Sequence, residues 1–214
     1  MRLDHVSYVA SHDQISDVVN RIGSQIGTAF VDGGIHPKFG TRNFTAPLLD
    51  GQYIEVVCPM DHPATETTPF GRAVKNKADA GGGWMSWVIA TNDINKIEIM
   101  LERKAVDGQR KRPNGTILNW KQIGVLATIE NSQTPFFVEW FSKEHPSLDG
   151  DAVAKIIKIY LSGEAIKSKL WLDASDGVKK QGIEIELLDS YNIQFEQGIT
   201  QIDFEIDSKV VTII

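Results

Sequence analysis

Three side chains of this chain combine a type and a placement that suit a divalent metal: His5, Glu55 and Glu139. Imidazole nitrogen and carboxylate oxygen are ordinary ligands for zinc, iron, nickel or manganese. His5 stands in Leu3-Asp4-His5-Val6, which reads as an opening strand. Glu55 and Glu139 stand in apolar runs, Tyr53-Ile54-Glu55-Val56 and Phe137-Val138-Glu139-Trp140. An ionised group on a strand buried among such neighbours is costly unless paired or metal-bound. Strand alternation equally allows both glutamates to face solvent. Three protein ligands would leave open positions for substrate. Either glutamate, if detached from the ion, would be a general base.

Other groups could complete such a site. His36, in Gly33-Gly34-Ile35-His36-Pro37, would act as a base or substrate contact at a cavity mouth, or would order its loop by bonding backbone. Arg42 and Arg112 would clamp a carboxylate or phosphate, or form surface ion pairs. Trp87 and Trp120, with Trp84, Phe137 and Trp140, would line an apolar pocket or fill a core. Cys58 ends an apolar run and reads as a small buried hydrophobe.

The elements that must position these groups come from hydrophobic periodicity. Residues 3–10 predict a strand, and residues 13–26 predict a helix with Ile15, Val18, Val19, Ile22 and Ile26 on one face and Ser11 or Asp13 as cap. Residues 32–40 read as a glycine-rich turn. Residues 41–49 and 52–58 predict two strands joined at Asp50-Gly51. Residues 59–80 read as a loop-rich connector. The order then recurs about eighty residues on. Residues 84–91 predict a strand, and 93–104 a helix capped by Asn92 or Asp93. Asn114-Gly115 is a hairpin signal, strand continues from 116 through 129, and residues 136–141 close the unit. By that offset the counterpart of His5 is Met85, which is no hard-metal ligand. Beyond residue 150, strands are expected at 156–161, 183–188, 191–196 and 202–206, with a short helix at 164–172.

The chain has 214 residues, ordinary apolar and charged fractions, and one cysteine. It is long enough to bury a core without disulfides, and a reducing cytoplasm suits it. No secretory leader or bilayer-length apolar stretch is expected. The formal charge is −6. Residues 1–146 are nearly balanced, while the remainder carries seven basic and twelve acidic groups. That acidic end argues against nucleic acid or an anionic membrane as partner. The cluster Arg110-Lys111-Arg112 is too short and isolated to change this.

Several segments resemble the glyoxalase-like domain family of the vicinal-oxygen-chelate superfamily. They are Leu3–Val6, Gly33–Pro37 with Gly40–Asn43, Tyr53–Glu55, Pro69–Ala73, Arg112–Gly115 with Trp120, Pro135–Trp140 and His145–Ser147. The resemblance covers residues 1–147. It implies an α+β fold of paired βαβββ modules, about 1–60 and 82–147. Residues 148–214 would be an acidic, β-rich extension, read as an abbreviated third module. It further implies a small-molecule cleft between the modules, one divalent metal held by His5, Glu55 and Glu139, and a homodimer. The expected function is a metal-dependent isomerase, lyase or dioxygenase, or else a non-catalytic small-molecule binding protein.

Overall fold

The computed structural model describes residues 1–163, 168–188 and 197–214. The first module runs β1 (Arg2–Val9), α1 (Ile15–Ile26), β2 (Val31–His36), β3 (Thr41–Pro47) and β4 (Tyr53–Pro59). Helix α1 buries Ile15, Ile22 and Ile26 and ends at Gly27, whose positive φ closes the last turn. Asp50 and Gly51, both at positive φ, make the turn between β3 and β4.

A connector follows, with α2 (Pro63–Thr67) and α3 (Pro69–Asp79). The second module is β5 (Gly83–Ala90), α4 (Ile94–Leu101), β6 (Val106–Lys111), β7 (Ile117–Ile123), α5 (Val125–Glu130) and β8 (Phe136–Trp140). The eight strands close into one barrel in the order β1-β4-β3-β2-β6-β7-β8-β5. The fold is thus the expected paired-module α+β type. Its pseudo-symmetry is visible in the ladders. Strand β1 runs parallel to β4 with His5 opposite Tyr53, and β5 runs parallel to β8 with Val88 opposite Phe136. Strands β1 and β5 are antiparallel, and His5 faces Val88 across that seam.

The chain continues with β9 (Lys155–Ser162), α6 (Lys169–Lys179), β10 (Glu184–Leu188), β11 (Gly198–Ile206) and β12 (Lys209–Ile213). These strands form a separate sheet, β10-β9-β11-β12. The element order is that of the modules, but the pairing is not, because β9 lies beside β10 rather than beside the last strand. The second sheet covers the outside of the barrel at β1 and β5. Trp84 stacks on Phe204, and its indole N–H donates to the Ile213 carbonyl at 3.0 Å. Barrel residues such as Leu3 and Trp87 share one core with Phe204 and Ile213. Among the described residues no helix is long and apolar enough to cross a membrane.

Four expectations are corrected. The connector 59–80 is largely helical: Pro63 and Pro69 sit in first turns, where the missing N–H costs nothing, with His62 and Thr68 as caps. Residues 31–36 form a strand, bulged between Asp32 and Gly34. Strand does not run from 116 through 129, because Gly124 at φ 102° turns the chain into α5. The helix expected at 164–172 begins at Lys169 in the described residues. The strand expected at 191–196 lies outside them.

Candidate functional site

Inside the barrel, alternate residues converge. His5 of β1, Tyr53 and Glu55 of β4, His36 of β2, Arg110 of β6, Trp120 and Gln122 of β7, and Phe136, Val138 and Trp140 of β8 line one narrow cavity, with about 30 Å³ of room for the centre of a water-sized sphere. Phe39 and Phe70, from the loop after β2 and from α3, also border it. The period of two in each strand decides which groups arrive.

Glu55 is 5% exposed and ionised. Burial alone would raise its pKa. Its interactions with the His5, His36 and Arg110 side chains and with the Asn43 amide outweigh that and bring it below the usual carboxylate value. Asn43 Nδ2 donates to one carboxylate oxygen at 2.6 Å, and Ser7 Oγ donates to the other at 2.9 Å. The His5 imidazole approaches the second oxygen at 3.9 Å.

His5 is oriented from behind. Its Nδ1 lies 3.0 Å from Asp4 Oδ2, and its ring stacks on Tyr53 at 4.4 Å. An ionised carboxylate only accepts, so Nδ1 carries the proton and Nε2 turns toward the cavity side of Glu55. Asp4 has no exposed surface. It also accepts from the Trp140 indole at 3.0 Å, and it meets Arg2 at 3.0 Å and His145 at 3.3 Å. Burial would raise its pKa, but the hydrogen bonds to His145 and His5 and their charges hold it far below the normal range.

His36 is placed in the cavity wall, on β2, with Nδ1 2.9 Å from Thr41 Oγ1 and its ring against Trp120. Burial pushes it down to about 4; the nearby Glu55 charge opposes this, and those of Arg110 and His5 add to it. It is therefore neutral at pH 7. An unfolded histidine titrates near ~6.5. Between those values the unfolded chain binds a proton that the folded chain refuses, so stability falls as pH drops from about 6.5 toward 4. The loss is on the order of 3 kcal/mol across that window. Urea unfolding at several pH values measures it, and His36→Gln is expected to remove most of the slope. An unchanged slope in that variant contradicts a neutral buried His36.

Tyr53 is also buried. Burial, with the charges of Asp4 and Glu55, pushes its hydroxyl well above the usual value, so it stays a neutral donor.

Most of the other expected site residues lie elsewhere. Glu139 is one residue out of register. Equivalent positions in the two modules are 83 apart, as His5–Tyr53 and Val88–Phe136 fix, so Val138 and not Glu139 corresponds to Glu55. A one-residue slip turns a strand side chain to the other face. Glu139 accordingly points at the helix layer, where Oε2 accepts from the Ile94 N–H at 3.1 Å at the start of α4. His5 likewise corresponds to Val88 rather than Met85. Arg42 pairs with Asp32 at 2.6 Å on the outer face. Arg112 is held by both oxygens of Asp149, tying the barrel to the chain that follows it. Trp87 is fully buried outside the cavity and donates to the Gln133 carbonyl at 2.8 Å. Trp120 does line it, with its indole bonded to Gln122 and its ring 5.3 Å from Trp140.

The donor set does not fit a divalent metal. Glu55 brings two oxygens already hydrogen-bonded, His5 brings one nitrogen, and the matching positions of the second module are valines. Among the described residues no three His, Cys, Asp or Glu side chains are grouped as ligands. The Arg110 guanidinium, facing the same space, would repel a cation. Arg110 is not among the expected site residues; it stands in Arg110-Lys111-Arg112, a cluster too short and isolated to suggest an anionic partner. Its signal was the alternation Gly108, Arg110 on β6, which puts both on the inner face.

A sequence model of the glyoxalase-like domain matches residues 3–166. No curated protein matches the chain. Among solved structures, a hypothetical protein from Staphylococcus aureus is similar at 15% identity, covering 99% of this chain and 84% of its own, with a TM-score of 0.58. A methylmalonyl-CoA epimerase from Mycobacterium tuberculosis is similar at 14% identity over 65% of this chain and 86% of its own, with a TM-score of 0.44. At these identities the likeness is one of fold.

Proposed function

The chain belongs to the glyoxalase-like domain family of the vicinal-oxygen-chelate superfamily, and within that fold we propose that the barrel interior binds a small carbonyl compound on which Glu55 acts as a metal-independent general base. One observation carries this reading: an ionised carboxylate, 5% exposed, beside a cavity walled by aromatic rings. Burying a charge costs several kcal/mol, and a protein needing only a filled barrel would place an apolar residue there, as Val138 is placed in the second module.

In the proposed step Glu55 takes a proton from a carbon beside the carbonyl; the C–H electron pair becomes a carbon–carbon double bond as the carbonyl π pair moves onto oxygen. The neutral Tyr53 side chain lines the same wall and can donate to that oxygen. Return of the proton to the opposite face of that carbon, or in a hydroxyketone to the former carbonyl carbon, completes an isomerisation. Ser7 and Asn43 hold Glu55 in place, with His5, itself oriented by Asp4, beside it. The barrel unit, residues 1–147, carries the site, and the described residues of the remainder brace its outer face.

Proton NMR in deuterated buffer at pH 7, over a set of small 2-oxo acids and hydroxyketones, tests the reading. Exchange of the carbon-bound proton is expected in the presence of EDTA. Exchange that requires added divalent metal contradicts it. The aromatic lining favours a second reading, a non-catalytic binding protein, for which ligands would bind without any exchange.

A further inference from the structure

Arg110 is an unusual occupant of a barrel interior. Its side chain is 2% exposed, yet Nε and Nη2 have no hydrogen-bond partner among the described residues. No carboxylate lies within ion-pair distance of it there, although its neighbour Arg112 is fully paired with Asp149. Arginine remains charged even where burial opposes it. A buried guanidinium with free N–H groups is a standing cost unless something else supplies the acceptor.

The surroundings reserve room for it. A side chain at Gly33 would overlap the Asn43 carboxamide and come within 2.8 Å of Arg110 Nη1. Asn43 Oδ1 is itself without a partner. Gly108, two residues before Arg110, has no side chain where the Trp120 indole crosses β6. The sequence thus omits side chains where they would crowd the guanidinium and the aromatic wall. The cavity beyond holds one ionised carboxylate, Glu55, and a neutral His36. With Glu55 also ionised, a monoanion leaves the cavity one charge negative and a dianion leaves it two, so the single guanidinium favours the smaller charge.

We propose that Arg110 is an anion anchor: the barrel takes a compact organic monocarboxylate, seated by its carboxylate on the guanidinium, with its carbon body among Trp120, Phe136 and Trp140 and directed at Glu55. The inference deepens the reading of this cavity as the ligand site and names the substrate class, a carbonyl acid. A planar guanidinium fork matches a carboxylate through paired N–H donors.

Calorimetric titration of the full chain at pH 7 tests it. The probes are acetate, 2-oxobutanoate and benzoate, each paired with its neutral amide, and inorganic phosphate. At least one carboxylate is expected to bind about ten- to hundredfold tighter than its amide. Arg110→Met should abolish that preference, Arg110→Lys should keep part of it, and Glu55→Gln should retain it. Melting curves check that each variant is folded, and the acid–amide comparison needs only the unmodified protein. No carboxylate outbinding its amide, a preference that survives in Arg110→Met, or phosphate outbinding every carboxylate would each overturn the anchor. Carboxylate preference without deuterium exchange overturns the base and leaves the anchor standing. Exchange without carboxylate preference does the reverse.

Discussion

Glu55→Gln is expected to slow carbon–deuterium exchange by about 10²- to 10⁴-fold, the usual range for losing a positioned base. The change is nearly isosteric, so the barrel is not emptied. It removes the one carboxylate that lines the cavity among the described residues. Ser7 and Asn43 can still bond an amide, since a hydroxyl and a carboxamide each donate or accept. Stability at pH 7 should fall only modestly, because the hydrogen bonds persist while the favourable interactions that hold Glu55 ionised are lost. Glu55→Asp separates placement from charge. It keeps the carboxylate but withdraws it by one methylene, and a displacement of about 1 Å is enough to cost roughly 10²-fold. NMR exchange rates and thermal melting measure both. A Glu55→Gln protein that exchanges at the unmodified rate rules out Glu55 as the base.

Asp4→Ala is expected to destabilise the fold by about 3–5 kcal/mol, the scale for stripping a buried charge network of one partner. Asp4 joins Arg2, His5, Trp140 and His145, which come from β1, β8 and the turn after β8. Without it, the His5 ring loses the acceptor that sets its tautomer, and the Trp140 indole loses its acceptor. Its pH dependence has a definite sign. The folded pKa lies below the unfolded value near ~3.9. The contribution is thus fully present above that value and is lost as pH falls below it. Urea unfolding at pH 7 and at about pH 3 should find the gap between the two proteins narrowing in acid. A gap that stays constant contradicts an ionised Asp4 at the centre of the network.

The sequence yields the alternation of strands and helices in the two modules because their apolar positions recur with clear periods. It does not yield β2 and β6, since Asp32-Gly33-Gly34 and Gly108-Gln109-Arg110 lack apolar alternation. Those strands are held by barrel neighbours on both sides, a tertiary cause that local pattern cannot carry. The loop-rich reading of residues 59–80 fails because Pro63 and Pro69 start helices there.

The site divides the same way. His5, Glu55 and Trp120 are legible as inward positions of recognisable strands. Glu139 fails through its motif: Phe137-Val138-Glu139 imitates Tyr53-Ile54-Glu55 at an offset of 84, whereas the ladders fix 83. With a period of two, that difference exchanges cavity for helix layer. Arg42 and Arg112 look like clamps, but each has an aspartate partner that sequence spacing could not reveal. Arg110 looks like surface charge and is instead the cavity's cation.

The central claim is that Glu55 and Arg110 address one ligand inside a barrel that needs no metal ion there. A crystal structure of the full chain with the tightest-binding carboxylate tests it most directly. The account predicts carboxylate oxygens about 2.8 Å from Arg110 nitrogens, with the ligand carbon chain toward Glu55 and no ion between His5 and Glu55. A ligand bound outside the barrel, or a metal held by His5 and Glu55, would contradict it.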